Sequence, residues 1–258
     1  MKSLRFVRIV LPALVAGVAF FAAWEGFVRW RKIKRYILPK PSEVANAFWD
    51  NFSLIRKSAM VTGGNALTGL IIGTIIGGLI AVATNRFRVV SEIVGPLEVA
   101  ARTIPIVVIV AILNGMFALD TETARRIMVT IAVFFIVYVN VTRGLRQHDA
   151  TKAELMESYA ASPRKVMLKV RIPLAMPFFF TAIRIAAPVA VVTAFVAEYF
   201  GGRQNGLGYR ITSAFSASRE PQGWAAVFGA ALLGLIFFIA GSLLEYVALP
   251  WQRHRATR

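Results

Sequence analysis

The chain has 258 residues, of which 57% are hydrophobic and 17% charged, yet its formal charge is +17. So apolar a composition excludes a disordered or nucleic-acid-binding chain, and the absence of cysteine excludes a disulfide scaffold, a Cys-based zinc site and thiol catalysis. The solvent of such a chain is mostly lipid, with the positive charge gathered in segments outside the bilayer.

A hydrocarbon core about 30 Å thick takes about 20 mostly apolar residues to cross as a helix. In lipid the segment must be helical, because every backbone polar group has to be satisfied within it. Charge-free windows occur at 9–24, 58–85, 103–119, 127–142, 172–197 (interrupted only by Arg184) and 221–244. They predict an all-α integral membrane protein with one transmembrane domain over 1–258. Its six transmembrane helices are placed at about 9–24, 61–84, 103–119, 127–142, 174–197 and 221–244. The first and fourth are short, so their flanking arginines are expected to snorkel. The basic start of the first run (Lys2, Arg5, Arg8) suits a signal peptide. Trp24 at interface height favours a retained anchor.

Orientation follows the Lys/Arg balance of short loops. Here the segments on the N-terminal side hold 15 and the opposite segments hold 13, which decides nothing. The run Arg29-Trp30-Arg31-Lys32-Ile33-Lys34-Arg35 reads as cytoplasmic by charge, whereas the six-span arrangement puts it on the side away from the N-terminus. A re-entrant fold or an interfacial helix would accommodate it.

The second span carries Gly69, Gly73 and Gly77 at intervals of four, a stripe that lets another helix approach closely. The approach is expected either within one subunit or at a dimer or gate contact. Asn65 in the same span and Asn114 in the third are expected to make interhelical hydrogen bonds. Arg102 and Glu98 are one helical turn apart and can pair. Thr103-Ile104-Pro105 should break or kink a helix and is a candidate pathway segment.

Between the fourth and fifth spans, residues 149–173 are too long and polar for a simple turn. Leu155, Met156 and Tyr159 recur at helical spacing, as do Val166, Met167 and Val170. Ser162-Pro163 between them supplies an N-cap and a first-turn proline. The pattern predicts a helix, a sharp corner at Ala160-Ala161, then a new helix ending at Ile172-Pro173. It either lies on the membrane surface or protrudes to dock in a partner's groove.

In the fifth span, Arg184 sits at mid-membrane, where an ionisable residue faces a partner or an aqueous cavity. It reads as a structural pair, as a side chain snorkelling to the interface, or as a lining of the path of an anionic cargo. Glu198 at the end of that span could pair with a basic residue or form part of an outer gate. His148 and His254 lie in loops, where a metal or catalytic role is not expected. No phosphate-binding Gly-x-x-x-x-Gly-Lys-Ser/Thr motif occurs.

The segment Glu154-Leu155-Met156-Glu157-Ser158-Tyr159-Ala160-Ala161-Ser162-Pro163, followed by Val170-Arg171-Ile172-Pro173, resembles the signature loop of ABC importer permeases. That loop reads Glu-Ala-Ala, three residues, Gly, nine residues, Ile, one residue, Leu-Pro. Glu154 takes the Glu position, Ala160 the Gly position, and Val170, Ile172 and Pro173 the last three. Leu155-Met156 departs from Ala-Ala, and Ala160 accepts a left-handed backbone less cheaply than Gly. Further matches are Leu38-Pro39-Lys40-Pro41 with Val44, Arg102 with Pro105, Thr181 to Ala186, Val196-Ala197-Glu198 and Gly206-Leu207-Gly208-Tyr209. These resemble the sulfonate, taurine, nitrate or bicarbonate, and thiamine-precursor branch, over residues 37 to about 210.

The resemblance implies a type I ABC importer permease with both termini cytoplasmic. It also implies that the 149–173 loop grips an ATPase subunit. Two such subunits carry ATP and magnesium, a second permease copy makes a homodimer, and an external solute-binding protein delivers a small polar solute. On that reading the chain has no catalytic site, metal or cofactor of its own. Rival classes are a secondary transporter or channel, which would need internal repeats or paired intramembrane carboxylates, and a membrane-embedded enzyme, which would need a nucleophile or metal constellation.

Overall fold

The computed structural model describes residues 2–117, 121–147, 155–156 and 158–252. Among these every regular element is helical. Helix α1 (Lys2–Trp30) leads through a turn into the short α2 (Pro41–Asp50), then α3 (Phe52–Arg86), α4 (Arg88–Thr103), α5 (Ile106–Met116) and α6 (Thr123–Arg146). After the loop come α7 (Pro163–Val166), a π turn (Met167–Arg171), α8 (Ile172–Tyr199), α9 (Leu207–Ser216) and α10 (Glu220–Ala248). Four stretches of the described residues have the length and apolar character to cross a membrane: Phe52–Arg86, Thr123–Arg146, Arg164–Tyr199 and Glu220–Ala248. Helix α1, with 29 residues, covers the first apolar run.

The expected third span at 103–119 is not one helix. The chain breaks at Ile104-Pro105, and α5, with 11 residues, rises only about 16 Å. The amphipathic helix α4 precedes it on the other side of the break. Proline has no backbone N–H and forces its predecessor out of the helical region, which accounts for the interruption.

The core is built on close approach. Along α3, Gly69, Gly73 and Gly77 face α6 of the same chain; a Cβ at Gly73 would stand 2.7 Å from the Thr130 carbonyl and 2.8 Å from Val133 Cβ. Because Gly69 meets Val129, Gly73 meets Val133 and Gly77 meets Val137, α3 and α6 run parallel. Helix α8 runs antiparallel to both. Its Ala182, Ala186, Ala190 and Ala194 are fully buried at intervals of four, in one cluster with Ala66 of α3 and Val133 and Val137 of α6. Helix α6 is thus held between a glycine stripe and an alanine stripe. The large side chains that point away, such as Ile71, Ile75, Leu79, Leu235, Ile236 and Leu243, are exposed on the faces that the hydrocarbon would solvate.

The basic run 29–35 forms no helix of its own. Helix α1 continues to Trp30, and the chain then turns through Lys32 (φ +49°). Pro41 opens α2, whose Glu43 carboxylate accepts the Lys40 backbone N–H at 3.2 Å and so closes the first turn.

Candidate coupling and gating sites

At one end of the bundle, the corner after residue 158 has a C-terminal helix motif. Ala160 takes the left-handed conformation (φ +46°) and the Ala161 N–H donates to the Met156 carbonyl at 3.0 Å. This six-to-one bond with a left-handed residue inside it is the Schellman arrangement. It gives a physical reason for glycine at this position in related loops, and alanine here takes the same turn. Beyond it, the Ser162 carbonyl accepts the N–H groups of Lys165 (2.9 Å) and Val166 (3.1 Å), and α7 starts at Pro163. Leu155 and Tyr159 project outward, 54% and 75% exposed. Met156 and Ala161 are half-buried and Ser162 is exposed. Glu154 and Glu157 lie outside the described residues, as do His148 and His254.

The second helix of this corner does not end at Ile172-Pro173. It passes through the π turn into α8, so the corner is continuous with a membrane-crossing helix. The wider turn absorbs the N–H that Pro173 lacks. The Arg171 guanidinium donates to Asn85 Oδ1 at 3.0 Å, tying the turn to the end of α3. From Pro163 the chain is therefore helical into α8, and Arg171 ties that start to the end of α3.

The left-handed turn supports a first prediction. An L-residue there costs about 1–2 kcal/mol, so thermal midpoints of the purified chain should rank Ala160→Gly above wild type and Ala160→Val below it. Equal midpoints for the three would show that the corner is not left-handed in the folded protein.

The opposite end of the bundle carries a polar network. Arg125, in the first turn of α6, is 1% exposed. Its Nη1 donates to Glu122 Oε2 and to Asn205 Oδ1, both at 2.7 Å, and its Nη2 donates to the Arg203 carbonyl. Glu122 also accepts from Asn65 Nδ2 at 2.8 Å and from Asn205 Nδ2, while Arg126 Nε donates to Asn65 Oδ1 at 3.1 Å. Burial pushes the Glu122 carboxyl up, but the Asn205 and Asn65 amides and the Arg125 charge outweigh it and hold it below the ordinary carboxylate range. Helix α3, the start of α6 and the loop after α8 are thereby pinned together. Asn114 of α5 packs beside Gly201 and Gly202 of the same loop, and its Nδ2 has no partner among the described residues.

A few ångströms away, Glu198 is 2% exposed at the end of α8. Its Oε2 accepts the Thr62 hydroxyl at 2.8 Å and the Gly208 N–H at 3.1 Å, and Thr62 Oγ1 accepts the Leu207 N–H at 3.0 Å. Two side chains from other helices thus cap the start of α9, where free N–H groups need acceptors. The Gly-Leu-Gly-Tyr stretch permits this. A Cβ at Gly206 would overlap the Glu198 carboxylate, and one at Gly208 would stand 2.7 Å from the Tyr199 nitrogen.

Arg184 is paired across α8 and α10. Its Nη1 lies 2.9 Å from Glu245 Oε2, and Thr181 Oγ1 donates to Glu245 Oε1 at 2.6 Å. Gly241 lets the helices meet, since a Cβ there would stand 3.0 Å from the Arg184 Cα. Pro105 is exposed at the helix break, and Arg102 and Glu98 lie on the backbone of α4. Sequence reasoning missed Arg125, Glu122 and Asn205. It also missed Glu245, although that residue closes the last apolar window.

Helix α8 thus runs from the corner at one end of the bundle to the pinned polar network at the other. Residues 69–254 match the profile of the binding-protein-dependent transport system inner membrane component. The chain belongs to this family. It is the transmembrane permease subunit of an ABC importer, which displaces the secondary-transporter and channel readings. A probable ABC transporter permease of Haemophilus influenzae is 27% identical over 96% of this chain and 97% of its own. The formylaminopyrimidine transport permease ThiX of Halalkalibacterium halodurans is 30% identical, covering 84% of this chain and 87% of its own. The putative aliphatic sulfonates permease SsuC of Escherichia coli is 26% identical over 96% and 93%. A chain of the MetNI methionine ABC transporter in an inward-facing conformation shares the fold, with TM-score 0.56 and 17% identity over 78% of this permease and 96% of that chain.

Proposed function

We infer that the permease forms the translocation path for a small polar solute of the formylaminopyrimidine, sulfonate or bicarbonate kind, delivered by an external binding protein. The names of its relatives support that cargo range: ThiX, SsuC and the bicarbonate permease CmpB of Synechocystis, 24% identical over 80% of this chain. Two copies of the permease pair with two ATPase subunits, which carry ATP and magnesium and perform the only catalysis. Both termini and the 149–173 loop lie in the cytoplasm, so the Arg125–Glu122 and Glu198–Thr62 networks mark the external end.

The observation that carries this reading is the corner itself. Leu155 and Tyr159 stand exposed on a tight turn that runs unbroken into α8. Closure of the ATPases draws the two corners together, and each α8 transmits the motion to the external end, where the pinned loop and α9 part. This is alternating access, with each ligand biasing a two-state element. Arg184 and Glu245 hold α8 to α10 so that the two helices move as one. Glu198, Asn114, Pro105 and Arg102 remain the candidate gate residues. The test is uptake into vesicles that hold the permease, its ATPase and its binding protein. Uptake should require internal ATP and external binding protein together. Uptake that proceeds down a gradient without either would overturn the reading.

A further inference from the structure

Six cations (Arg29, Arg31, Lys32, Lys34, Arg35 and Lys40) stand between residues 25 and 43 against two carboxylates, Glu25 and Glu43. The carboxylates are spoken for. Glu25 holds Arg29 at 2.7 Å and accepts both the backbone N–H and the hydroxyl of Ser42, while Glu43 sits 4.0 Å from Arg35 and from Lys40. Arg31 and Lys34 lean on the rings of Trp30 and Tyr36 and, with Lys32, meet no carboxylate among the described residues; all three are exposed. Directly after this turn, at Pro41 and Ser42, the chain enters the wall of a groove of about 670 Å³ between α1, α2 and α10. The groove is lined by Phe20, Phe21, Trp24, Val44, Trp224 and Phe228, with Pro41 and Ser42 where it meets the basic turn.

We propose that this groove and its basic rim bind one anionic glycerophospholipid, an acyl chain lying along the aromatic wall and the phosphate held by Arg31, Lys32, Lys34 and Arg35. Depth and charge select this occupant. Phe20 and Phe21 belong to the first apolar run, so the groove opens at hydrocarbon depth, where a water-soluble partner does not reach. Basic residues flanking a membrane attract anionic headgroups, and Trp30, Tyr36 and Trp49, all exposed here, are residues that settle at headgroup level. A second copy fits less well, because a two-fold contact would set one basic turn against another. The bound lipid neutralises the charge that the loop-balance rule leaves stranded on the external side. It also fastens α1 to α2 and α10.

The test uses the complete permease–ATPase complex in mild detergent, with phosphatidylglycerol and phosphatidylcholine as probes and native mass spectrometry as the readout. The wild-type complex should retain phosphatidylglycerol through washing, about one per permease chain, and lose phosphatidylcholine. Joint replacement of Arg31, Lys32, Lys34 and Arg35 by Gln should cut retention at least about tenfold. Ala45→Trp with Ala231→Trp, which fills the groove from two exposed positions and leaves the charges intact, should do the same. Equal retention of the two lipids, or undiminished phosphatidylglycerol in both variants, would overturn the proposal. So would a disulfide forming between two permease copies through Ala231→Cys. Loss of binding-protein association from the Gln variant with its lipid content unchanged would assign the rim to a protein partner instead.

Discussion

Gly73→Leu is expected to prevent the permease from assembling. The glycine stands where α3 crosses α6, and even a single added carbon would meet the Thr130 carbonyl at 2.7 Å and Val133 at 2.8 Å. One of these neighbours is backbone, so the helices must separate. Overpacking a tight core costs about 1–3 kcal/mol and sometimes more; a branched side chain against backbone belongs at the top of that range or beyond it. Separation would also open the contacts at Gly69 and Gly77, which lie on the same stripe. The variant should lose the single sharp peak of the wild type on detergent size-exclusion chromatography, with Gly73→Ala intermediate. Gly64→Ala serves as the control, since that glycine is on the same helix but exposed, with nothing near its Cβ position. A Gly73→Leu complex that assembles and transports normally would show that the stripe does not set the helix approach.

Arg125→Leu should have the second-largest effect, at the end of the bundle opposite the corner. The substitution removes the close, buried cation of the Glu122 carboxylate, 12% exposed, leaving the exposed Arg203 guanidinium 3.9 Å away, and leaves the Arg203 carbonyl without its Arg125 donor. Breaking a buried pair by removing one partner costs about 3–5 kcal/mol, whereas removing both charges is often neutral. The thermal midpoint should therefore fall sharply in Arg125→Leu and recover in part in Arg125→Leu/Glu122→Leu. The loop after α8 should loosen too, and trypsin should cut the purified protein after Arg203 faster in the single variant than in wild type. An unchanged midpoint together with unchanged cleavage would mean that the network holds nothing in place.

These two sites differ in how far they can be read without coordinates. The glycine stripe is legible because small residues at intervals of four have one main use in a lipid-facing helix. The alanine stripe of α8 has the same spacing, but alanine is common in any helix and does not announce itself. The corner at Ala160 is legible from the Ser162-Pro163 signal, and the resemblance to the permease signature loop, whose Gly position Ala160 takes, implies a left-handed residue there. The continuation past Pro173 is not, because a proline normally ends a helix and only a π turn lets it pass. Arg125, Glu122 and Asn205 are out of reach of any window. They are up to 83 positions apart, and each reads singly as an ordinary loop or helix-end polar group. Arg184 illustrates the same limit, since its partner Glu245 becomes its neighbour only once α10 packs on α8 through Gly241. The break at Ile104-Pro105 is legible in the proline, but how far a helix extends on either side of it is not, because an apolar window carries no information about continuity.

The most direct measurement of coupling is retention of the ATPase by an affinity-tagged permease carrying Leu155→Asp and Tyr159→Asp. Both side chains are exposed on the corner and neither contributes to the bundle core, so the variant should fold with wild-type melting behaviour. A charge in place of each apolar contact should release the ATPase during purification, and Glu154→Arg in the same loop should act in the same direction. Loss of the ATPase from an otherwise intact permease is the predicted result. Retention of the ATPase at wild-type stoichiometry, with ATP-driven uptake preserved, would contradict the assignment of this loop as the coupling element.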